Sequence, residues 1–485
     1  MADRRVSKVA VIGAGWAGLA AAVRLCDADI DCTVFEASRT LGGRARRVPW
    51  AMKDGREISL DNGQHILIGA YRHALGLLGE LGVAEHEAFE RTPMHLVGAR
   101  GLRLKASSQR APWHLVAMLL TARGVGIDER WSVAMFMRRA ERVRWRLDRD
   151  CTVAALLDAW RQPPGLTHKL WEPLCIAALN TPMETASAQV FLNVLRDSLG
   201  GAARDSDLLL PRVDLGGLLP DAVAARFARR GDGAARIRVG ARVQNLLVDE
   251  REVSIAGGTA TKVDAAERFD AAVVATPPGE TARLLAPMAH RDRRYVASIA
   301  LCEAFEFQPI VTVYLLYRDA PRWPSRMLAL EAAAHVDHFG QWAFDRSERL
   351  GTAERSRRDA SAGEGLVAVV ISADGAHRDL QRDALVAAVA KQLSSQCGLP
   401  SEVLDARVIV EKRATFACTP SLRRPDGTTP HARLVLAGDY VGQADPSTHY
   451  PATIEAAVIS GGLAAARVVE VLRDTAIDQP ESAAA

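Results

Sequence analysis

The stretch that decides the fold runs Val9-Ala-Val-Ile12, Gly13-Ala-Gly15-Trp-Ala-Gly18, Leu19-Ala-Ala-Ala-Val-Arg-Leu25. Its first four residues predict a short buried strand, and its last seven predict a helix. Thr33-Val-Phe-Glu36 then predicts a second strand that ends in an acid. A dinucleotide-binding turn requires this order of strand, glycine turn, helix and strand. The sequence therefore predicts an α/β chain whose N-terminal part binds a dinucleotide.

Each glycine of this turn has a distinct expected role. Gly13 permits the tight turn, Gly15 lets the backbone approach a pyrophosphate, and Gly18 lets the helix pack on the strand. The positive end of the helix then faces the phosphates. Glu36 lies 18 residues after Gly18, close to the usual distance for an acid that binds ribose hydroxyls. The residues between the glycines belong to the same predicted site: Ala14, Trp16 and Ala17.

A second glycine turn, Leu41-Gly-Gly43-Arg44, follows soon after Glu36. With it, the chain resembles the superfamily of FAD-dependent amine oxidases and phytoene desaturases. The resemblance implies that Gly42, Gly43 and Arg44 lie against the flavin nucleotide, so the expected cofactor is FAD. The pattern usually has glycine where this chain has Asp29, and we expect a looser turn there.

The chain is predicted to fold as a Rossmann-like FAD-binding domain that is assembled from three segments, residues 1–70, 234–290 and 415–472. The segments 71–233 and 291–414 are interleaved with it and would form an α+β substrate domain, the first mostly helical and the second partly sheet. Residues 473–485 are expected to be a tail.

The superfamily resemblance also assigns roles in the later segments. It implies that Val243 contacts the adenine through its backbone. Gly438 and Asp439 end the apolar strand Leu434-Val-Leu-Ala-Gly438 and would bind the ribityl–phosphate part of FAD. A helix with Pro451 in its first turn would point its positive end, near Ala452 and Thr453, at the flavin pyrimidine. No Cys or His forms a recognisable attachment motif beside this segment, so the FAD is expected to be noncovalent.

Composition and charge exclude several classes of protein. Hydrophobic residues make up 48% and charged residues 25%, which are ordinary globular values. The net charge of +3 gives no reason to expect a nucleic-acid partner. The seven cysteines are widely spaced without a CxxC, which favours a reducing compartment, hence the cytoplasm. The longest uncharged run, Val9 to Val23, has 15 residues, shorter than the roughly 20 that span a bilayer.

The sequence carries no second GxGxxG, no metal-ligand cluster and no GxSxG nucleophile motif. No metal site is therefore predicted, and the flavin is expected to carry the chemistry. Electrons must come from the substrate or from an electron donor whose identity the sequence does not give.

Five further blocks resemble the hydroxysqualene dehydroxylases, the squalene-associated FAD enzymes of bacterial hopanoid pathways. The resemblance implies reductive removal of the hydroxyl of hydroxysqualene, a long-chain isoprenoid, to give squalene. A proton donor should assist loss of the hydroxyl, and a dry apolar site should protect the allylic cation. The blocks are Leu60–His65, Leu170–Pro182, Ala186–Gly201, Ser206–Arg212 and Tyr450–Glu455.

Candidate reacting groups lie in three of these blocks and next to Gly438 and Asp439 in the third flavin segment. Asp61 and His65 are candidate proton donors, since His titrates near neutral pH. Tyr440 and Tyr450 are candidates for stabilising a cation, and Asn180 for binding the hydroxyl. Structural roles remain open for all five: a turn Asp, a hydrogen-bonded His, packed aromatic rings and a turn-capping Asn.

A lipid-soluble substrate suggests contact with the inner face of the cytoplasmic membrane. Pro112–Thr121 is apolar, and the following helix is expected to place one apolar face beside several arginines, as interfacial helices do. The alternative is an amphipathic helix that packs on its own domain. The expected face comprises Val133, Met137, Ala140, Val143 and Leu147.

Three other functions remain open. A flavin desaturase or oxidase of another polyprenyl would share the fold and run in the opposite redox direction. An amine oxidase would often place Lys near the flavin, and Pro309–Leu316 contains none. A prenyl-binding escort protein of related fold would lack flavin, whereas the glycine turns here are intact.

Overall fold

The computed structural model describes residues 6–98, 103–105, 118, 121–230, 235–259, 262–263, 266–350, 363–442, 445 and 448–477. Its strands are β1 Lys8–Ile12, β2 Asp31–Glu36, β3 Arg47–Ala51, β4 Glu57–Asp61, β5 Leu67–Ile68, β6 Phe89–Thr92, β7 His95–Val97, β8 Arg103–Lys105, β9 Leu208–Pro211, β10 Ala235–Val239, β11 Arg242–Val248, β12 Val253–Thr259, β13 Lys262–Val263, β14 Glu267–Phe269, β15 Ala271–Val274, β16 Phe307–Tyr317, β17 Met327–Ala329, β18 Trp342–Asp345, β19 Gly365–Ser372, β20 Asp405–Phe416 and β21 Leu434–Leu436. Its α-helices are α1 Trp16–Asp27, α2 Arg72–Glu80, α3 Glu85–Ala88, α4 Ile127–Arg142, α5 Val153–Ala159, α6 Pro164–Leu166, α7 Glu172–Leu179, α8 Ala188–Leu199, α9 Leu215–Arg230, α10 Pro278–Ala289, α11 Tyr295–Glu303, α12 Arg382–Cys397 and α13 Ile454–Ile477.

A five-stranded parallel sheet in the order β10-β2-β1-β15-β21 forms the predicted nucleotide-binding layer. Val9 of β1 pairs with Cys32 on one side and Ala271 on the other. The central strands are apolar along their whole length because both faces of a parallel sheet are covered. Since the strands come from all three predicted segments, the structure confirms the Rossmann-like, three-part fold.

Two helices from opposite ends of the chain, α1 and α13, pack against each other on one face of this sheet. Gly461 in α13 permits the contact, because a Cβ there would lie 2.1 Å from the carbonyl oxygen of Ala17. The third segment is thereby held against the first glycine turn. The helices α2 and α9, from within 71–233, join the same core, so part of that stretch packs with the nucleotide-binding layer.

The remaining sheet of five strands is antiparallel, in the order β17-β18-β19-β16-β20. One of its faces packs against α12. The other face packs against β3, β4 and β9. The helices α4, α5, α7 and α8 form a separate apolar core that extends to the end of β20 and to the third segment. The sheet comes from 291–414 and the first two residues of the third segment, and the four helices come from 71–233. Their role as a substrate domain stays a prediction.

The turn between α1 and β2 is well formed, contrary to expectation. Asp29 adopts φ +57°, the left-handed conformation that glycine usually supplies and that Asp tolerates better than most residues. The N–H groups of Asp29 and Ile30 donate to the carbonyl oxygens of Cys26 and Leu25. The prediction of a looser turn was therefore wrong.

Two helix ends also differ from the predictions. The helix α1 begins at Trp16, so the last residues of the glycine turn are already helical. The helix α13 begins at Ile454, leaving Pro451 outside it, and continues to Ile477 into the predicted tail. Within the described part of the chain, no helix is both long and apolar enough to cross a membrane.

Candidate functional site

Of the three glycines in the first turn, one alone has open space where a side chain would begin. A Cβ on Gly13, which has φ +105°, would lie 2.6 Å from the carbonyl oxygen of Ala275. A Cβ on Gly18 would lie 1.9 Å from the carbonyl oxygen of Gly13. A Cβ on Gly15, in contrast, would meet no atom within 4 Å. Backbone contacts therefore dictate glycine at 13 and 18, whereas Gly15 borders open space, as the predicted approach of a pyrophosphate requires.

The N-terminus of α1 is suited to an anion. Gly15 is its capping residue, no side chain caps it, and its first turn has no acid. The first N–H groups of the helix thus retain their positive end for a ligand. Trp16 and Ala17 begin the helix and are buried, as is Ala14 before it.

The second glycine turn packs directly on the first. Gly42 donates its N–H to the carbonyl oxygen of Ala14 at 2.8 Å. Gly43 approaches so closely that a Cβ on it would lie 3.1 Å from Cα of Gly15. The φ angles of Gly42 and Gly43 are +105° and +62°, which favour glycine. The structure therefore brings the two predicted glycine motifs to one place.

Glu36 lies at the end of β2 with its carboxylate held by two backbone groups. Its Oε2 accepts from the N–H of Ala14, and its Oε1 accepts from the N–H of Ser38, both at 2.8 Å. A carboxylate can accept further hydrogen bonds. Glu36 is thus fixed beside the first turn with capacity left for ribose hydroxyls.

An ion pair joins the first and third segments at this site. Arg44 Nη2 lies 2.6 Å from Oδ2 of Asp439, and Arg44 Nη1 donates to the carbonyl oxygen of Ala414. Asp439 is buried. Gly438 precedes it with φ +153° and donates its N–H to Ser460 Oγ. A Cβ on Gly438 would lie 2.5 Å from the ring of Tyr440, so this turn also needs glycine.

Val243 is buried in β11 beside a β-bulge, where the pairing with β12 shifts register. Its carbonyl oxygen accepts from Arg283 Nη2 at 2.8 Å. A carbonyl oxygen has two lone pairs, so this bond does not exclude the adenine contact through the backbone of Val243, which stays a prediction.

The third segment presents a capped helix end. Thr453 Oγ1 accepts from the N–H of Ala456 at 3.1 Å, and Ala452 packs half-buried against the helical apolar core. The acid in the first turn of α13, Glu455, turns away to accept from the N–H groups of His73 and Ala74. The carboxylate of Glu455 is thus engaged by the start of α2, and the orientation of this helix end toward the flavin stays a prediction.

The five features fit FAD: open space at Gly15, an uncapped α1, fixed Glu36, paired Arg44 and Asp439, and the end of α13. These residues would hold its pyrophosphate, a ribose, the ribityl–phosphate part and the flavin ring. No cluster of three potential metal ligands occurs among the described residues.

Tyr440 lies in an aromatic group beside this site. Its ring is 5.7 Å from that of Phe305, which in turn is 5.4 Å from that of Phe416, both edge to face. Its hydroxyl hydrogen-bonds Thr281 Oγ1 at 2.8 Å. Burial raises the pKa of Tyr440 well above its usual value. The residue is a packed, neutral phenol whose ring borders the helical apolar core.

Tyr450 differs from Tyr440 in being half-buried and close to Asp197. Burial, followed by the Asp197 charge, raises the pKa of Tyr450 to about 12. Its carbonyl oxygen accepts from Arg424 Nη1 at 2.7 Å. A role toward substrate stays a prediction for both tyrosines.

Asn180 ends α7 with φ +47° and has its side-chain amide fully engaged. Its Oδ1 accepts from the N–H of Ala373 at 2.7 Å. Its Nδ2 donates to Thr415 Oγ1 at 2.9 Å and to the carbonyl oxygen of Pro309 at 3.3 Å. These bonds tie α7 to the antiparallel sheet, and binding a hydroxyl would require Asn180 to give one of them up.

Asp61 is buried at the end of β4 and accepts from the N–H of Leu215 at 2.7 Å, at the start of α9. Its carbonyl oxygen accepts from Tyr314 Oη. Burial raises the pKa of Asp61 above its ordinary value, although the nearby charge of Arg349 opposes the shift. The carboxylate of Asp61 therefore contacts the N-terminus of α9, and its role as a proton donor stays a prediction.

His65 is close enough to Asp61 for their charges to interact. Its Nδ1 lies 2.6 Å from the carbonyl oxygen of Gly63, so Nδ1 is the protonated nitrogen and Nε2 the one that can exchange a proton. Burial lowers the pKa of His65 below its ordinary value. The ring is thus mainly neutral near pH 7.

The face of α4 that was predicted to contact a membrane is mostly buried inside the protein. Val133 and Ala140 are buried in the helical apolar core, with Met137 and Leu147 packed half-buried against it. Only Val143 of the predicted face is exposed, at 38%. That face packs on its own domain, as the alternative interpretation held. Most of Pro112–Thr121 lies outside the described residues.

Sequence reasoning missed Arg424. Its guanidinium stacks over Phe416 at 4.6 Å, and it shares the lining of a cavity with Asp439 and Tyr450. Burial lowers the pKa of Arg424, although the neighbouring Cys418 and Asp439 oppose the shift. It precedes Pro425 in an irregular stretch, where no periodicity or motif marks it.

The comparisons with known proteins agree with this geometry. The family model of flavin containing amine oxidoreductases matches residues 16–469. Hydroxysqualene dehydroxylases from Rhodopseudomonas palustris and Sinorhizobium fredii are 27% and 24% identical to the chain, over 94% of it and 97% of their own lengths. Zeta-carotene desaturase from Solanum lycopersicum is 24% identical over 96% of this chain and 81% of its own.

Among solved structures, putrescine oxidase bound to putrescine superposes with a TM-score of 0.66. It covers 96% of this chain and 99% of its own, at 16% identity, so it shows the fold alone. The chain therefore belongs to the family of flavin containing amine oxidoreductases and is an FAD-dependent oxidoreductase.

Proposed function

We propose that this enzyme removes the hydroxyl of hydroxysqualene reductively to give squalene, as a step of hopanoid biosynthesis. The observation that carries the proposal is the likeness to two hydroxysqualene dehydroxylases over 94% of the chain. The overall change is replacement of the C–O bond by a C–H bond, which consumes one hydride and one proton and releases water. FAD, when bound in its reduced form, supplies the hydride.

The protein's contribution begins with the apolar core around Tyr440. Phe305, Phe416 and Tyr440 lie beside the turn at Gly438, which is predicted to bind FAD, and belong to the helical apolar core. Such surroundings exclude water, which would otherwise recapture an allylic cation. The faces of aromatic rings also attract a cation electrostatically. A long isoprenoid chain would lie along this core, with its reacting carbon near the aromatic group.

The proton would come from the Asp61–His65 pair. The pKa of Asp61 is raised, so its carboxyl keeps a proton to higher pH than a free Asp. His65, held by Gly63 through Nδ1, would present Nε2. Either group, when protonated, can donate to the departing hydroxyl. Asn180 would have a structural role unless it releases one of its bonds.

Electron supply and location complete the proposal. The chain has a single GxGxxG, so the flavin would be reduced by a separate electron donor.

The seven free cysteines suit a reducing compartment. We place the enzyme in the cytoplasm, at the inner face of the cytoplasmic membrane, where a lipid-soluble substrate is available.

The test is anaerobic. The bound FAD is reduced with dithionite, excess reductant is removed, and hydroxysqualene is added while the flavin spectrum and the lipid products are recorded. The proposal predicts reoxidation of the flavin with one equivalent of squalene formed. A spectrum that stays reduced, with the substrate intact, would contradict it.

A desaturase or oxidase of another polyprenyl is the second candidate, favoured by the likeness to zeta-carotene desaturase. It predicts the opposite result: oxidised enzyme is reduced by a C30 or C40 polyene that gains a double bond. Amine oxidation has less support, because β16, Phe307–Tyr317, contains no Lys.

A further inference from the structure

The outward face of α4 carries three large apolar side chains in a row. Ile127, Trp131 and Met135 are exposed by 82%, 68% and 40% of their surface. Their spacing of four residues places them on one line along the helix. Isolated apolar residues are common on protein surfaces, but an aligned set with a Trp at its centre is a feature of contact surfaces.

The opposite face of the helix that carries this stripe is packed into the protein. Phe136 is buried, with its ring 4.5 Å from that of Trp171 and 4.8 Å from that of Trp160. Val133 and Ala140 are buried in the same core. Because α4 cannot turn its outer face inward without losing this packing, the apolar stripe stays outside.

Positive charge surrounds and continues the stripe. The line through Ile127, Trp131 and Met135 extends to Arg138 and Arg142, which are both exposed. Residues 123–149 contain eight arginines and four acidic residues, a net charge of +4, although the whole chain carries only +3. Two acids follow Ile127: Glu129 is engaged by Lys169 and by the N–H of Gly126, whereas Asp128 is exposed and is included in the net charge given above.

We propose that the outer face of α4, defined by Ile127, Trp131, Met135, Arg138 and Arg142, docks on an anionic lipid bilayer. Trp prefers the boundary between headgroups and acyl chains, and apolar neighbours add buried area there. Arginines beside an inserted apolar stripe gain from the negative surface potential of anionic lipid. The local charge of +4 is the observation that selects a lipid surface over a neutral apolar partner.

Docking here would place the helical apolar core next to the bilayer. This core contains both Phe136 of α4 and Tyr440 beside the flavin site. A lipid-soluble substrate could then reach the flavin site without crossing bulk water. This consequence rests on the proposed function, whereas lipid binding itself does not and can be measured without any substrate.

The experiment is sedimentation of the FAD-loaded, full-length protein with vesicles. One set of vesicles is pure phosphatidylcholine, and the other contains about one third phosphatidylglycerol. The proposal predicts strong binding to the anionic vesicles only, weakened by added NaCl. Failure to bind, or equal binding to neutral vesicles, would overturn it.

Substitutions locate the surface. The pair Ile127→Gln and Trp131→Gln should weaken binding about tenfold or more, because inserted apolar area is lost. The matched control is Val296→Gln, which alters a side chain 52% exposed on α11 and should bind like wild type. Wild-type binding by the α4 variant would show that another surface is used.

Charge is tested in the same way. The pair Arg138→Glu and Arg142→Glu should reduce binding to anionic vesicles by about tenfold or more. The control pair, Arg382→Glu and Lys391→Glu on the exposed side of α12, changes net charge equally and should have a much smaller effect. If both pairs lost vesicle binding equally, the net charge of the protein would control binding, and the outer face of α4 would not.

Self-association is the remaining competitor. Analytical ultracentrifugation without lipid would reveal a concentration-dependent dimer. If Trp131→Gln abolished such a dimer, the stripe would be an interface between two copies, and the lipid proposal would fall. A wild-type protein that stays monomeric while binding anionic vesicles supports it.

Discussion

The guanidinium of Arg44 and the carboxylate of Asp439 lie 2.6 Å apart and join the first and third segments of the FAD-binding domain. Arg44 follows the second glycine turn, and Asp439 ends the turn after β21. Only 6% of the Asp439 side chain is exposed, so this acid depends on Arg44 for compensation of its charge. The pair therefore links the assembly of the domain from two chain segments to the geometry of the predicted cofactor site.

Arg44→Met should destabilise the FAD-free protein by about 2 kcal/mol, because it leaves a buried carboxylate without its partner. It should also weaken FAD retention, as Asp439 would no longer be held in place. Urea unfolding measures the first effect, and the ratio of flavin to protein absorbance measures the second.

The matched control is Arg56→Met. Arg56 pairs with Glu364 at the same 2.6 Å, but both side chains are more exposed than Asp439. Exposed pairs contribute about 0 to 1 kcal/mol, so this change should have little effect. The double variant Arg44→Met, Asp439→Asn should lose less unfolding free energy than the sum of the losses in its two single variants. Strict additivity would contradict the coupling.

The two glycines of the first turn should respond differently to alanine. A Cβ on Gly15 meets nothing within 4 Å, and the φ of −73° suits any residue. Gly15→Ala should therefore leave the apoprotein as stable as wild type yet reduce FAD affinity, because the methyl group fills the pyrophosphate space. Gly15→Asp should abolish FAD retention by adding a negative charge there.

Gly18→Ala provides the contrast. Its Cβ would lie 1.9 Å from the carbonyl oxygen of Gly13, so the helix must move away from the strand. Thermal unfolding of the apoproteins should show a lower Tm for Gly18→Ala and an unchanged one for Gly15→Ala. If Gly15→Ala bound FAD like wild type, the pyrophosphate assignment would be wrong.

Sequence patterns predicted those parts of the molecule that depend on neighbours in the chain. The glycine turn with its flanking strands is local, whereas the three-part domain was inferred from apolar strands together with the superfamily resemblance. The orientation of α4 was not predictable, because both Val133 and Trp131 lie on apolar lines of the helix. Which line is covered depends on Trp160 and Trp171, which lie later in the chain.

The same limit applies to the candidate site. Asn180 looked available for a substrate, but Ala373 and Thr415, far away in the chain, engage its amide. Arg424 carried no signal, since its burial arises from contacts with Phe416 and Tyr450. Contacts between distant segments decide whether a polar side chain is free to act.

Tyr440 can be tested for packing and cation stabilisation separately. Tyr440→Phe removes only the hydroxyl that bonds Thr281 and should cost about 1 kcal/mol of stability, with turnover nearly unchanged. Tyr440→Leu also removes the aromatic face and should lower turnover about tenfold or more if that face stabilises a cation. Single-turnover reoxidation of the reduced enzyme gives the rate. Equal turnover in both variants would leave Tyr440 with a packing role.

Asp61 and His65 differ in how pH should govern the reaction. A proton donor works only while protonated, so the rate falls as pH rises through its pKa in the folded enzyme. Burial raises that pKa for Asp61 above the ordinary 3.8 and lowers it for His65 below 6.5. Asp61→Asn preserves an acceptor for the N–H of Leu215, and His65→Gln preserves a donor for the carbonyl oxygen of Gly63, so both should fold.

The variant that removes the true donor should lose about 100-fold or more in rate and lose the fall in rate with rising pH, whereas the other variant should keep that fall. Single-turnover rates across pH, with flavin content and unfolding measured alongside, distinguish loss of the donor from loss of structure. If both variants kept the wild-type profile, the proton would come from outside this pair, and Tyr450, with its pKa raised to about 12, would be the next group to replace. Asp61 accepts a hydrogen bond from the N–H of Leu215 in addition to its proposed role as proton donor. The comparison is therefore decisive only if Asp61→Asn unfolds at the same urea concentration as wild type, which shows that this structural bond is kept.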